Sequence, residues 1–281
     1  MDNLEKKKPI ERVAVIHDLC SVGKAALTSI LPVLSVMGIE ACPIPTMVLS
    51  AHTGGYGQPI LYKMPDFAGA CAEHLAKNGI SFEHLFIGYL GSATMIQNIQ
   101  GFLKYYPGAN ILLDPIMADH GSYYTNFDSG YCDEMRKLLQ CSHIITPNYT
   151  ESCFLSGVDY EASCNQEKLW QICRKLTALG AKQIVITSVP LPNAEMGIAV
   201  YENTHLHILN REQSGRAYPG TGDLFAAVLL GSLIRGHQLL DSARKAHDFV
   251  RICVKMSDKF AYPVREGVML EANLKELSKI V

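Results

Sequence analysis

The chain has 281 residues, of which 48% are hydrophobic and 19% are charged, an ordinary composition for a globular protein. Its 25 Lys and Arg residues nearly balance 27 Asp and Glu residues, and the formal net charge of -2 excludes a strong basic field for nucleic acid or an anionic membrane. The longest nearly unbroken apolar run, residues 224–234, is far shorter than the roughly 20 residues that span a bilayer. We therefore expect small molecules or further copies of the chain as partners.

The N-terminal segment and the cysteines indicate the compartment. Glu5 and the lysines at 6–8 precede an apolar strand, without the apolar region and the cleavage site of a secretory signal. Nine cysteines are an odd number and form no Cys-x-x-Cys pair, which argues against a disulfide framework or a zinc knuckle. We expect a cytoplasmic protein whose cysteines are reduced and mostly buried.

Apolar strands alternate with amphipathic or buried helices along most of the chain. In order, the pattern predicts strand 13–17, helix 24–37, strand 85–90, helix 92–105, strand 111–113, helix 131–139, strand 143–146, helix 168–179 and strand 184–186. A hairpin (197–201 and 205–209) and two helices (223–235 and 242–260) are predicted to follow. This order predicts an α/β fold as a single domain over residues 1–281, with a mostly parallel central sheet and helices on both faces. Ligands should bind at the carboxyl ends of the parallel strands.

The strongest local signal is the segment Pro-Gly-Thr-Gly-Asp at 219–223, just before an apolar helix. Its two glycines allow a sharp turn and a close approach to a ligand, and the first amides of the helix lie at the positive end of its dipole. Such an anion hole with a carboxylate inside suits phosphoryl transfer, because Asp223 can take the proton of an attacking hydroxyl. The alternative is a glycine turn in which Asp223 only caps the helix.

Polar side chains also follow two predicted strands. Asp114 comes directly after strand 111–113, with Asp119 five residues later, and Asn148 follows the next strand, with Glu151 three residues later. Carboxylate and amide oxygens at neighbouring strand ends are the ligands that Mg²⁺ and its water shell prefer. Alternatively, Asn148 caps a helix with Glu151 as its capping-box partner, and Asp114 only begins a turn.

Two glycine-rich segments lie nearer the N-terminus. The first, His-Thr-Gly-Gly-Tyr-Gly at 52–57, is either a ligand-contacting loop or a solvated connection. The second, Gly-Tyr-Leu-Gly-Ser at 88–92, ends a predicted strand, and Tyr89 is either a ligand contact or a packed aromatic residue.

Taken together, these segments resemble the pyridoxal and pyridoxamine kinases of the ribokinase-like superfamily through nearly the whole chain. The matching motifs, in order, are His-Thr at 52–53, Gly-Tyr-Leu-Gly-Ser at 88–92, Asp-Pro-Ile-Met at 114–117, Thr-Pro-Asn-x-x-Glu at 146–151 and Gly-Thr-Gly-Asp at 220–223. The resemblance implies phosphorylation of the 5'-hydroxymethyl group of a B6 vitamer (pyridoxamine, pyridoxal or pyridoxine). It also implies ATP and Mg²⁺ as cofactors, a monovalent cation as a further candidate, and a homodimer.

The resemblance implies a role for each matching residue. Asp223 would be the catalytic base, and the amides of Gly220, Thr221 and Gly222 would form the anion hole. The nucleotide and its metal would be bound by Asp114, Asp119, Tyr124, Thr146, Asn148, Glu151, Thr187 and Ser188, with Asp114 and Glu151 serving the metal. The vitamer would contact Asp18, His52, Thr53 and Tyr89.

Two features depart from the usual pattern of these kinases. Asp18 stands where they usually have a serine after the first strand, and the loop from Asp119 to Tyr124 is shorter than in many members. A carboxylate at position 18 favours pyridoxamine, because it can pair with a protonated amine. Alternatively, Asp18 caps the turn into the next helix or meets the ring nitrogen that all vitamers share.

Three other functions compete with a vitamer kinase. A hydroxymethylpyrimidine kinase or a sugar kinase would share the anion hole and the base, although the early chain has no obvious insertion for the separate lid sheet of a sugar kinase. A non-catalytic protein that only binds the vitamer would not need Asp223 within an intact Gly-x-Gly.

Overall fold

The structure, a computed structural model, describes residues 10–192, 196–211 and 215–280. Its strands are β1 Arg12–Cys20, β2 Glu40–Leu49, β3 Leu61–Lys63, β4 His84–Ile87, β5 Asn110–Leu113, β6 Ala118–Asp119, β7 Ser122–Tyr123, β8 Ile144–Ile145, β9 Gln183–Pro190, β10 Met196–Glu202 and β11 His205–Arg211. Its α-helices are α1 Leu27–Val36, α2 Phe67–Lys77, α3 Ala93–Leu103, α4 Ser129–Leu139, α5 Tyr149–Ser156, α6 Gln166–Ala178, α7 Thr221–Ile234, α8 Leu239–Lys259 and α9 Leu274–Ile280.

The main sheet has the strand order β11-β10-β9-β8-β5-β4-β1-β2-β3. The six strands from β9 to β2 in this order are parallel, whereas β10, β11 and β3 pair antiparallel with their neighbours. The predicted α/β class, the mostly parallel sheet and the late hairpin are therefore confirmed. The single domain remains a prediction. All six parallel strands end at the same edge of the sheet, where strand-to-helix loops collect.

Helices cover both faces of this sheet, as the sequence predicts. Alternate residues of β1 point to opposite faces: Ala14 and Ile16 pack with helices α2 to α6, whereas Val13 and Val15 pack with α1, α7, α8 and α9. Residues 223–232 of helix α7 are all buried, and most of them are apolar. The helix is therefore surrounded by protein on all sides, and its sequence shows no amphipathic stripe.

Six elements have no counterpart in the sequence prediction, β2, β3, β6, β7, α2 and α9, and α5 appears there only as the helix that Asn148 would cap. The pattern of β2 is obscured by Pro43 and Pro45, which cannot donate to a ladder. Both prolines pair with β1 in a stretch of β2 that β3 does not reach, since β3 pairs only with residues 47–49. Helix α1 begins at Leu27 and not at residue 24, because Ala26 adopts a non-helical backbone with φ 55°.

Two further observations concern the cysteines and the helices. All nine cysteines lie in the described ranges, none of them forms a disulfide, and six of them are buried. Among residues 10–192, 196–211 and 215–280, none of the helices combines the length and the apolar character needed to cross a bilayer.

Helix α6 offers a test of capping at an exposed helix start. Asn165 is its N-cap and accepts a hydrogen bond from the Lys168 amide at 2.9 Å. We expect Asn165→Ala to lower the free energy of unfolding by about 1 kcal/mol, because the amide loses its acceptor. Urea denaturation would measure the loss, and Asn165→Asp, which still caps, should show little of it. Equal stability of the alanine variant and the wild type would contradict the capping role.

Candidate active site

The carboxyl edge of the sheet and the N-terminal turn of α7 enclose a cavity of about 810 Å³. Most residues predicted from the sequence line it: Asp18, His52, Thr53, Tyr89, Asp114, Tyr124, Thr146, Asn148, Glu151, Thr187, Gly220, Gly222 and Asp223. They come together because parallel strands end at one edge, so loops far apart in sequence become neighbours.

Three predicted residues do not line this cavity: Asp119, Ser188 and Thr221. Ser188 follows Thr187 at an irregularity of β9, where its backbone has φ 52°, and its side chain is exposed. The Asp119 carboxylate accepts a hydrogen bond from the His120 amide in the short β6–β7 hairpin. The Thr221 hydroxyl donates to the Tyr218 carbonyl, which leaves only its backbone amide for a ligand.

The start of α7 has the backbone geometry of an anion site. Gly220 precedes the helix with φ 79°, and a Cβ at this position would lie 1.9 Å from the Lys24 carbonyl oxygen. The helical hydrogen bond from the Leu224 amide to the Gly220 carbonyl leaves the three amides of residues 221–223 without partners inside the helix. These amides and the helix dipole favour a negatively charged ligand.

Asp223 lies in this first turn and is buried. One carboxylate oxygen, Oδ2, accepts a hydrogen bond from the Ala26 amide at 2.6 Å, and the other, Oδ1, lies 3.1 Å from Nε2 of His17. Ala26 has the positive φ noted above, a strained conformation for a residue other than glycine. The Asp223 carboxylate therefore joins α7 to the loop that follows β1.

His17 is the residue of this site that the sequence analysis missed. It is 1% exposed near the end of β1, and its Nδ1 lies 2.7 Å from Oδ1 of Asp18. Burial lowers the pKa of the imidazole, but the charge of Asp223 and hydrogen bonds to both carboxylates outweigh burial and raise the pKa to about 10. The ring is therefore a cation at neutral pH and donates to both carboxylates.

The glycine at position 88 is a sequence signal for His17, but it can be recognised only once the pairing of the strands is known. Gly88 follows the neighbouring strand β4, and a Cβ on it would lie 2.0 Å from the His17 ring. The motif glycine at 88 thus provides the space for a histidine that lies 71 positions earlier in the chain.

Glu151 and Asn148 form the capping box that the sequence analysis left as an alternative. The Asn148 side chain accepts from the Glu151 amide, and Glu151 Oε2 accepts from the Asn148 amide at 2.8 Å. Its Oε1 accepts from the amides of Met117 and Ala118, at 3.0 and 3.4 Å. Burial, and then the nearby charge of Asp114, raise the pKa of the Glu151 carboxyl.

Asp114 is buried at the end of β5. Burial and the negative charge of Asp223 raise the pKa of its carboxyl to about 7, against an opposing effect of His17. The described residues contain no group of three or more His, Cys, Asp or Glu side chains arranged to hold a metal ion. Mg²⁺ usually keeps several waters and binds one or two protein carboxylates together with substrate phosphates, so this donor set fits such a site.

The four residues expected to hold the substrate all line the cavity. His52 uses both ring nitrogens within the protein: Nδ1 accepts from the Gly54 amide, and Nε2 donates to the Arg265 carbonyl at 2.7 Å. It therefore fixes the 52–57 loop and has only ring carbons left for a ligand. Tyr89 is half-buried, and its hydroxyl accepts from the Asn126 side-chain amide at 2.8 Å.

Asp114 generates a pH-dependent prediction. Below about pH 4 the Asp114 carboxyl is protonated in the folded protein and in the unfolded chain. Between about pH 4 and 7 it ionises in the unfolded chain but stays protonated in the folded protein. Protein without ligands should therefore lose stability as the pH rises through this window. We expect Asp114→Asn to match the wild type near pH 4 and to be more stable at pH 8, by up to about 4 kcal/mol in urea denaturation. A difference that does not vary with pH would contradict this origin.

A helix-start anion site with a buried carboxylate, beside carboxylates at parallel strand ends, defines a small-molecule kinase of the ribokinase-like class. Residues 25–266 match the family model described as phosphomethylpyrimidine kinase, and the chain belongs to this family. The predicted relationship to pyridoxal kinases is confirmed as well.

Two solved structures and one curated protein show the relationship. A Bacteroides thetaiotaomicron protein assigned as a phosphomethylpyrimidine kinase and crystallised with pyridoxal is 34% identical, with a TM-score of 0.90 over 95% of this chain and 96% of that one. Pyridoxal kinase from Lactobacillus plantarum is 31% identical, with a TM-score of 0.89 over 96% and 97% of the two chains. A pyridoxine/pyridoxal/pyridoxamine kinase of Bordetella avium is 25% identical over 86% of this chain and 85% of that protein.

Proposed function

We propose that this kinase uses ATP and Mg²⁺ to phosphorylate the 5'-hydroxymethyl group of a B6 vitamer, with Asp223 as the general base. The proposal rests on the position of Asp223. Its buried carboxylate lies in the first turn of α7 and lines the cavity beside the free amides of that turn. The names of the relatives, and the pyridoxal bound to the Bacteroides protein, support a vitamer as the substrate.

The chemistry follows from this arrangement. The amides of residues 220–222 would stabilise the negative charge of the transferred phosphoryl group, because they lie at the positive end of the helix. Asp223 would accept the proton of the substrate hydroxyl as that oxygen attacks phosphorus. A base and an anion hole in the same helical turn hold both reacting groups close together.

The nucleotide would lie on the side of the cavity lined by Tyr124, Thr146, Asn148 and Thr187. Asp114 would hold Mg²⁺ together with Glu151, whose Oε1 already accepts from two amides but whose Oε2 accepts from one and keeps a lone pair for the metal or its water shell. When bound, Mg²⁺ would neutralise phosphate charge. A monovalent cation remains a further candidate for this site. From the family resemblance we also propose that the chain folds as one domain, forms a homodimer and works in the cytoplasm.

The first test replaces the base. We expect Asp223→Asn to lower kcat by about 10² to 10⁴-fold while ATP still binds, because the amides stay in place and only the proton acceptor is lost. The measurements are steady-state kinetics with pyridoxal and ATP binding by calorimetry. A near wild-type kcat would remove Asp223 from the mechanism.

A substrate panel separates this function from its main alternative, a hydroxymethylpyrimidine kinase, which the family description favours. Purified protein would be assayed with pyridoxal, pyridoxamine, pyridoxine and hydroxymethylpyrimidine at equal ATP and Mg²⁺. The vitamer proposal expects the highest kcat/KM with a vitamer. A higher value for hydroxymethylpyrimidine would reject it and leave the kinase assignment intact.

Asp18 is the candidate for choosing among vitamers, because its carboxylate lines the cavity and its side chain is 13% exposed. A carboxylate favours the protonated amine of pyridoxamine over the neutral aldehyde of pyridoxal. We expect Asp18→Ser to reduce kcat/KM for pyridoxamine about 10- to 100-fold more than for pyridoxal, equivalent to about 1.5–3 kcal/mol. Equal losses for the two substrates would show that Asp18 does not select between them.

A further inference from the structure

Three side chains form a continuous line from the substrate end of the cavity to the base. Asp18 Oδ1 lies 2.7 Å from His17 Nδ1, and His17 Nε2 lies 3.1 Å from Asp223 Oδ1. All three residues line the cavity, although the His17 side chain is almost inaccessible. The buried imidazole therefore touches both carboxylates that border the substrate space, one through each ring nitrogen.

The surroundings of the His17 ring hold it in one orientation. Gly88 packs against one ring edge, and the Phe86 ring meets it edge-on at a centroid distance of 6.1 Å and an angle of 89°. The Asp18 amide also lies 3.0 Å from Nδ1, but a protonated ring directs its N–H to the shorter contact, the carboxylate at 2.7 Å. The pKa of about 10 supports this protonated form.

We infer that His17 is a positioning residue that holds the Asp223 carboxylate in its reactive orientation and joins it to Asp18. This inference rests on the proposed role of Asp223. With His17 on Oδ1 and the Ala26 amide on Oδ2, both oxygens are fixed, so the carboxylate cannot rotate about its last bond. Each oxygen keeps a lone pair for the proton of a substrate hydroxyl.

Removing His17 would have two effects on the base. Asp223 would lose a charge-assisted hydrogen bond, and two carboxylates would face each other without a cation between them. The carboxylate could then turn away from the substrate, and a misplacement of about 1 Å at a reacting group can cost about 10²-fold in rate. The ring is not among the four residues proposed above for the nucleotide side of the cavity, so we expect the loss to fall on kcat.

Two substitutions separate the two hydrogen bonds of the ring. Glutamine can place an amide near the position of Nε2 and still donate to Asp223, whereas asparagine reaches only the position of Nδ1, beside Asp18. We expect His17→Asn to lower kcat about 10- to 100-fold and His17→Gln to keep most of the rate, with KM for ATP unchanged in both. Equal kcat values for the two variants would overturn the inference.

A matched control uses another histidine at a strand end. His143 is half-buried, and its Nδ1 accepts from the Ile111 amide at 3.2 Å, outside the cavity lining. We expect His143→Asn and His143→Gln to leave kcat unchanged, since this ring does not reach Asp223. If His17→Asn fails to fold, Gly88→Ala displaces the same ring without removing it, and a wild-type kcat in that variant would overturn the inference.

A double-mutant cycle separates failure of this inference from failure of the proposed function. Because His17 acts through Asp223, His17→Asn should have less than about a threefold effect on the residual rate of Asp223→Asn. Full additivity of the two effects would overturn the inference while leaving Asp223 as the base. A fully active Asp223→Asn would instead reject the proposed mechanism, whatever the His17 variants show.

Discussion

The buried carboxylate of Asp223 is the contact on which both the packing and the chemistry of this site depend. It joins the first turn of α7 to the Ala26 amide in the loop before α1, and to His17 at the end of β1. Both partners lie about 200 positions away in the chain, at separations of 197 and 206. The group proposed to take the proton therefore also holds the anion site against the strand edge, so one carboxylate serves both the chemistry and the packing of the loop.

The balance between buried negative and positive charges explains the pKa shifts of the carboxyl groups that line the cavity. Three buried carboxylates, Asp114, Glu151 and Asp223, border a space in which His17 supplies the buried positive charge. Their repulsion and burial raise the pKa values of the carboxyls of Asp114 and Glu151. The amides of Asn148, Met117 and Ala118 partly offset this cost at Glu151. A site with excess buried negative charge is suited to a nucleotide that arrives with a divalent cation.

The two interpretations of the Asn148 and Glu151 motif are both useful. The capping box is present, and it explains the local spacing of the two residues at the start of α5. The same contacts turn Glu151 towards residues 117 and 118, which follow Asp114, so helix capping also shapes the proposed metal site. A motif of this kind shows which residues are constrained. It does not show whether the constraint serves the helix, the ligand or both, because one carboxylate can accept several hydrogen bonds.

The α/β class, most strands and helices, and the glycine turn before α7 could be predicted from local patterns, because periodicity and glycine-rich turns are local properties of the chain. The loops that carry polar residues could be predicted as well, and most of the site residues predicted in them line the cavity. Long-range packing, in contrast, brings His17 between Asp18 and Asp223, places Gly88 where it makes room for the ring, and gives both nitrogens of His52 partners within the protein. The structure also shows β2, whose prolines obscure its strand pattern. These features depend on strand order and on contacts between distant segments, which no local pattern encodes.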